Sequence, residues 1–115
     1  MKLIRLFTRY ENLNAVREKL FNSGAPGLSV TDAQGIGKPL GQMASEQDGR
    51  PTPLPTFKRL VSVEVVCEDA QVGELVDALV EVCRTGSQGD GKIFVHDVTE
   101  AIRIRTGERG DDALY

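Results

Sequence analysis

The stretch Arg84-Thr85-Gly86-Ser87-Gln88-Gly89-Asp90-Gly91-Lys92 places three glycines within six positions and ends on a lysine. Glycine lets backbone N–H groups close on an anion and permits positive φ, and lysine brings charge. Residues 84–92 are therefore a candidate phosphate-binding loop, with an ordinary glycine-rich helix C-cap as the alternative. It is not a Walker A loop, whose spacing differs and which runs from strand to helix. A second stretch, Ile102-Arg103-Ile104-Arg105, alternates. On a strand both guanidinium groups would leave the same face, and two adjacent like charges call for an anion. Arginine suits bidentate contact with phosphate. Solvation or pairing with surface carboxylates is the alternative, but one anion shared between the glycine–lysine loop and the arginines accounts for both features.

No comparable pattern points to catalysis. Cys67 and Cys83 are too far apart for a zinc spacing, and each lies in an apolar run that suits a small buried side chain. His96 is the single histidine, and no Cys–His pair or marked carboxylate pair accompanies it. Asp90 and Glu64 are candidates for touching a nucleotide sugar or base, which are binding roles. The expectation is a non-enzymatic binder; a slow nucleotide hydrolase using the same pocket, or a metal-binding or purely structural assembly, are the alternatives.

The elements that must hold these residues can be read from periodicity. The chain has 115 residues, enough for one domain over 1–115, with 40% hydrophobic and 27% charged residues. There is no Trp and only 5% aromatic content, so Val, Leu and Ile must supply the core. Seventeen acidic against 14 basic residues, net −3, argue against a general nucleic-acid binder. No run approaches the roughly 18 apolar residues of a membrane span. Met1-Lys2-Leu3-Ile4-Arg5 lacks a signal-peptide layout, so a cytoplasmic protein without membrane insertion is expected.

Lys2 to Thr8 reads as a strand. Asn12 offers a cap for a helix with Leu13, Val16, Leu20 and Phe21 at helical spacing, stopped by Gly24 and Pro26. Leu28 to Ala33 is a second strand. Leu60 to Cys67 is a third, with Val61, Val63 and Val65 on one face and Leu60 and Val66 on the other. Glu68 and Asp69 open a helix with Val72, Leu75, Val76, Leu79 and Cys83 on one stripe, ended by Gly86. Lys92 to Val98 is a fourth strand and Ala101 to Arg105 a short fifth, leading into a tail over 101–115. Two βαβ units predict an α+β, ferredoxin-like sandwich with both helices on one face of the sheet. The other face stays partly apolar, which calls for a partner subunit. The connection from Gly35 to Phe57 is unusually long, with Gly35, Gly37, Gly41 and Gly49 followed by Pro51, Pro53 and Pro55 around Thr52 and Leu54. It reads as a mobile loop with an extended, polyproline-like end suited to docking, or as a flexible hairpin with no partner.

The segments Arg84-Thr85-Gly86, Gly89-Asp90-Gly91-Lys92-Ile93-Phe94-Val95 and Ile102-Arg103-Ile104-Arg105-Thr106-Gly107-Glu108-Arg109-Gly110 closely resemble the PII signal-transduction family. Gly27-Leu28-Ser29-Val30-Thr31 and Gly35-Ile36-Gly37 resemble its second strand and the start of its T-loop. The resemblance implies a homotrimer with three adenine-nucleotide sites in the clefts between subunits, where ATP and ADP compete, and a T-loop over 38–57 that docks on a target protein. It implies Gly89, Asp90, Gly91 and Lys92 as the phosphate loop, with Arg103 and Arg105 reaching the phosphates. Gly37 and Lys38 would contact them from the T-loop base, and Ser29, Glu64 and Val66 would surround adenine and ribose. Arg is usual in place of Lys38, and Thr in place of Ser29.

Other departures bear on the effector. The family's Gln, which helps hold Mg-ATP and 2-oxoglutarate, is replaced by Pro39, which has neither a side-chain amide nor an N–H. The T-loop tyrosine that many members uridylylate is missing, since Tyr10 and Tyr115 are the only tyrosines; Ser45 does lie in the loop. Binding of ADP, AMP or ATP with little response to 2-oxoglutarate is therefore expected. A small anion such as bicarbonate would be held by Lys38, Lys58 or Arg59, after the carboxysome-associated branch of the family. The target would be a transporter, an enzyme or a carboxysome-related protein, and ordinary nitrogen sensing is the alternative.

Overall fold

Alternation is the first rule the chain obeys. In β1 (Lys2–Arg9), Ile4, Leu6 and Thr8 are buried, whereas Leu3, Arg5 and Phe7 fall on the opposite face. A 3₁₀ turn at Tyr10–Asn12 leads into α1 (Leu13–Asn22), and β2 (Ser29–Gly35) follows. The computed structural model describes residues 1–37 and 56–115. Lys38, Pro39, Gly41, Ser45, Gly49, Pro51, Thr52, Pro53, Leu54 and Pro55 lie outside the described residues. The chain then forms β3 (Lys58–Cys67), a 3₁₀ turn at Asp69–Gln71, α2 (Val72–Cys83) and β4 (Lys92–Asp97). The sheet order is β2-β3-β1-β4, antiparallel throughout, with Ile4 opposite Val65 and Val95, and Ser29 opposite Glu64. This is the expected α+β, ferredoxin-like double βαβ arrangement.

Both helices pack on one face. Val16 and Leu20 of α1 and Leu75 and Leu79 of α2 close over Ile4, Leu6, Val61, Val63 and Val65. Each such side chain contributes on the order of 1.5–3 kcal/mol by leaving water. Cys67 and Cys83 are buried free thiols within this core, and burial pushes the pKa of both upward. The opposite face carries the Arg5–Glu64 ion pair (3.1 Å) beside Phe7 and Phe94, whose rings meet edge-on at 6.2 Å.

Several local expectations need correction. Asn12 stands at the N-cap position as expected but its side chain makes no capping bond: the preceding 3₁₀ turn already holds it in helical geometry (φ −82°, ψ −8°), and its amide donates to the Thr8 hydroxyl at 2.9 Å. Phe21 is 82% exposed, since one residue past Leu20 turns it about 100° off the buried stripe. Ala101 to Arg105 is not a strand: the segment makes a single bridge, Ile102 with Arg109, across a tight turn. Glu68 and Asp69 open the 3₁₀ turn ahead of α2 and not α2 itself: Glu68 caps that turn, its N–H donating to the Gln71 side chain at 3.1 Å, and α2 follows from Val72.

Two glycines should respond to alanine in opposite directions. Gly91 has φ +101°, and a Cβ there would lie 1.8 Å from the Phe7 carbonyl oxygen. Gly73 sits in α2 with open space around it. In urea unfolding, Gly91→Ala should lose about 3 kcal/mol or more, whereas Gly73→Ala should gain about 0.5 kcal/mol.

Candidate functional site

The chain between α2 and β4 is folded around one carboxylate. Oδ2 of Asp90 accepts the backbone N–H groups of Thr85 (2.7 Å) and Gly86 (2.9 Å). Its Oδ1 accepts the Thr85 hydroxyl and Nη1 of Arg9 (2.8 Å). Nη2 of Arg9 donates to the Gln88 carbonyl at 2.8 Å. Gly86, Gly89 and Gly91 all have positive φ, at 83°, 91° and 101°, so each glycine expected to free the backbone does so. Four donors occupy the Asp90 carboxylate and hold its pKa far below the usual range: the Thr85 hydroxyl most, then the Thr85 N–H, then Arg9 and Gly86. The carboxylate thus builds the loop, with no side-chain capacity left over for the sugar or base contact considered for it.

This loop forms one wall of a cavity of about 560 Å³. Gly89, Gly91 and Lys92 face Gly35 and Gly37 from the end of β2, with Lys58 and Arg59 from the start of β3 and Arg9 from the end of β1. Phe7, Ile36, Leu60 and Phe94 supply apolar walls, and Glu11 lies at the rim. Four cations and four glycines from separated parts of the sequence therefore meet. Arg59 is partly committed: its guanidinium lies 3.8 Å above the Tyr10 ring and 3.9 Å from Asp32. Ser29, Glu64 and Val66 are brought together elsewhere, in a cavity of about 290 Å³ shared with Leu3, Pro26 and Leu114. Lys38 is outside the described residues.

Arg103 and Arg105 line neither of these cavities. Their segment is a self-contained hairpin, in which the Arg103 N–H donates to the Glu108 carbonyl (2.9 Å) and the Gly107 N–H to the Arg103 carbonyl (2.7 Å). The Arg103 guanidinium binds Glu108 at 2.6 Å and the Asp112 carbonyl at 3.1 Å. The anion compensating Arg103 is thus internal, contrary to the side-by-side arrangement expected on a strand. Arg105 is exposed, and Ile104 at the turn is 99% exposed.

Arg9 and Leu114 were not singled out by sequence reasoning, and Thr85 was read only as part of the loop over 84–92. A basic residue at the end of β1 was the only signal for Arg9, and it acquires meaning only once β1 pairs with β4. Among the described residues, no group of three or more His, Cys, Asp or Glu side chains could hold a metal ion. Among them, no helix is long and apolar enough to cross a membrane.

A depressed carboxylate pKa contributes stability that is full above the ordinary Asp range, near about pH 4, and lost as the pH falls through the folded-state value. Asp90→Asn should therefore lower the thermal midpoint near neutral pH, and its deficit relative to the parent should shrink as the pH drops from about 4 to about 2. A deficit constant across that interval would show that the Asp90 charge does not matter.

A family model described as nitrogen regulatory protein P-II matches residues 1–108. Relatives carrying that name align over 114 residues, covering 99% of this chain and 100% of theirs: 41% identical in Rhodospirillum rubrum, 40% in Pasteurella multocida and 36% in a Synechocystis. The matched span takes in all four strands, both helices, the glycine loop and the arginines of the hairpin, and relatives above 30% identity run the length of the chain, which makes it a member of the P-II family of regulatory proteins.

Proposed function

We propose that the protein is a P-II regulator that binds ATP, ADP or AMP at sites completed between subunits of a homotrimer and signals to a target protein through residues 38–57. The observation that carries this reading is the convergence of Gly35, Gly37, Gly89 and Gly91 with Arg9, Lys58, Arg59 and Lys92 in one cavity. Backbone amides freed by glycine, beside fixed cations, are what a polyphosphate needs. In this reading Gly37, Lys38, Gly89, Gly91 and Lys92 hold phosphates, and Asp90 shapes their loop.

Ser29, Glu64 and Val66 take the base and ribose. Leu60 lines the first cavity and Glu64 the second. Four residues of strand, about 13 Å, separate them. Arg103 and Arg105 line neither cavity of their own chain, which supports their delivery by a neighbouring copy. The sheet face left uncovered by helices, with Phe7, Phe94 and Val66, gives that copy a surface to pack on. The relatives' names favour nitrogen regulation, whereas a bicarbonate role for Lys58 and Arg59 in inorganic-carbon metabolism has no such support. The protein acts as a cytoplasmic regulator and not as an enzyme.

Light scattering at micromolar concentration should return three times the 12.5 kDa chain mass, and a monomer mass would defeat the assembly. In calorimetry, Lys92→Ala and Arg103→Ala should each weaken ADP binding by about ten- to a thousandfold, the loss of a charged contact in a desolvated site. Unchanged affinity in both would show the site assignment to be wrong, and Lys92-dependent ATP turnover above background would replace the regulator with a hydrolase.

Pro39 removes a side-chain oxygen where magnesium demands near-complete octahedral geometry. Adding 2-oxoglutarate should therefore leave Mg-ATP affinity within about twofold. Tenfold tightening by 2-oxoglutarate, with no effect of bicarbonate on ADP, would make this an ordinary nitrogen sensor.

A further inference from the structure

We propose that Arg9 is the positioning residue of the phosphate-binding loop: its guanidinium grips Asp90 and Gln88 together and cancels the Asp90 charge, so that the loop meets phosphate with Lys92 unopposed. The proposal rests on the nucleotide reading above and concerns a residue outside the glycine–lysine stretch. Asp90 places a carboxylate within a loop that has to attract anions. Its four hydrogen bonds give the loop its shape, but only the Arg9 bond brings a compensating full charge. The Arg9 and Asp90 side chains are 28% and 21% exposed, so water screens the pair less than it would an open surface pair.

The grip has two points. Nη1 holds the Asp90 carboxylate and Nη2 the Gln88 carbonyl, both at 2.8 Å, so one planar fork spans the loop from residue 88 to residue 90. Gly89 lies between them at φ +91°, and a Cβ there would come within 3.2 Å of Nη2. The backbone thus packs directly on the guanidinium. Arg9 also lines the cavity that holds the glycines and Lys92, so its removal both loosens that wall and leaves the Asp90 carboxylate uncompensated in the loop behind it. Lysine at this position would restore the charge but not the fork.

The full-length protein tests this in two ways. In calorimetry, Arg9→Gln should weaken ADP binding about tenfold or more while adenosine, which carries no phosphate, changes by less than about twofold. Arg9→Lys should recover part of the loss. In the Asp90→Asn background the Arg9→Gln step should shrink to about threefold, because the charge to be cancelled is gone while the grip on Gln88 and the cationic wall are still lost. Equal losses for ADP and adenosine, or an equal step in both backgrounds, would overturn the assignment.

Amide hydrogen exchange on nucleotide-free protein reads the grip without ligand. Arg9→Gln should speed exchange at Thr85 and Gly86 while amides between β1 and β3 keep their rates, and unchanged rates at Thr85 and Gly86 would overturn the positioning role. A parent that binds no ADP overturns the nucleotide reading and the phosphate role of Arg9 with it. A parent that binds, with Arg9→Gln binding equally well, overturns the role of Arg9 alone.

Discussion

One carboxylate ties the end of β1 to the connection between α2 and β4, 81 residues further along the chain. Asp90 receives donors from the end of β1 through Arg9 and from the turn after α2 through Thr85 and Gly86, while lying two residues ahead of β4. An ionised acid with both oxygens occupied is a rigid hub, because withdrawing any donor leaves part of the charge unsatisfied. The positive φ values of Gly86, Gly89 and Gly91 are the backbone's accommodation to that hub. Without it the stretch from 84 to 92 would be a loose connector, and the cavity beside Lys92 would lack a wall.

The sheet supplies the rest of the positioning. Pairing Phe7 with Lys92 brings the loop beside the end of β1, and pairing Gly35 with Lys58 brings the end of β2 beside the start of β3. These two junctions stand at the same end of the sheet, which is why residues near positions 9, 36, 58 and 90 share one cavity. At the other end, Ser29 paired with Glu64 opens a smaller hollow lined by Leu114. The nucleotide proposed above would draw on both places: glycine amides and cations in the first cavity, and the polar groups of Ser29 and Glu64 in the second.

The fold was legible because its signals are local. Alternation at Val61, Val63 and Val65, the apolar stripe from Val72 to Cys83, and the glycines before Lys92 each declare an element without help from elsewhere. Arg9 was opaque because its partners lie about eighty residues away and only the β1–β4 register brings them close. The arginine pair misled for a different reason. Alternation from Ile102 to Arg105 imitates a strand, but Gly107 returns the chain so tightly that its N–H takes the Arg103 carbonyl, and Glu108 then meets the guanidinium. Phe21 shows the limit of counting apolar spacing: one step beyond Leu20 is enough to leave the core.

The two core thiols have a consequence of another kind. Cys67 is fully enclosed and Cys83 nearly so, on the third strand and at the end of the second helix, and burial keeps both in the protonated form that reacts poorly with electrophiles. Cys67 cannot meet an alkylating reagent while the sheet and helices remain closed, whereas Cys83 borders a cavity at the connection to β4. Labelling of Cys67 therefore acts as an internal clock for rupture of the core, blind to the loop beside Cys83. This regulatory protein thus carries, beneath its surface, a chemical record of whether the core has opened.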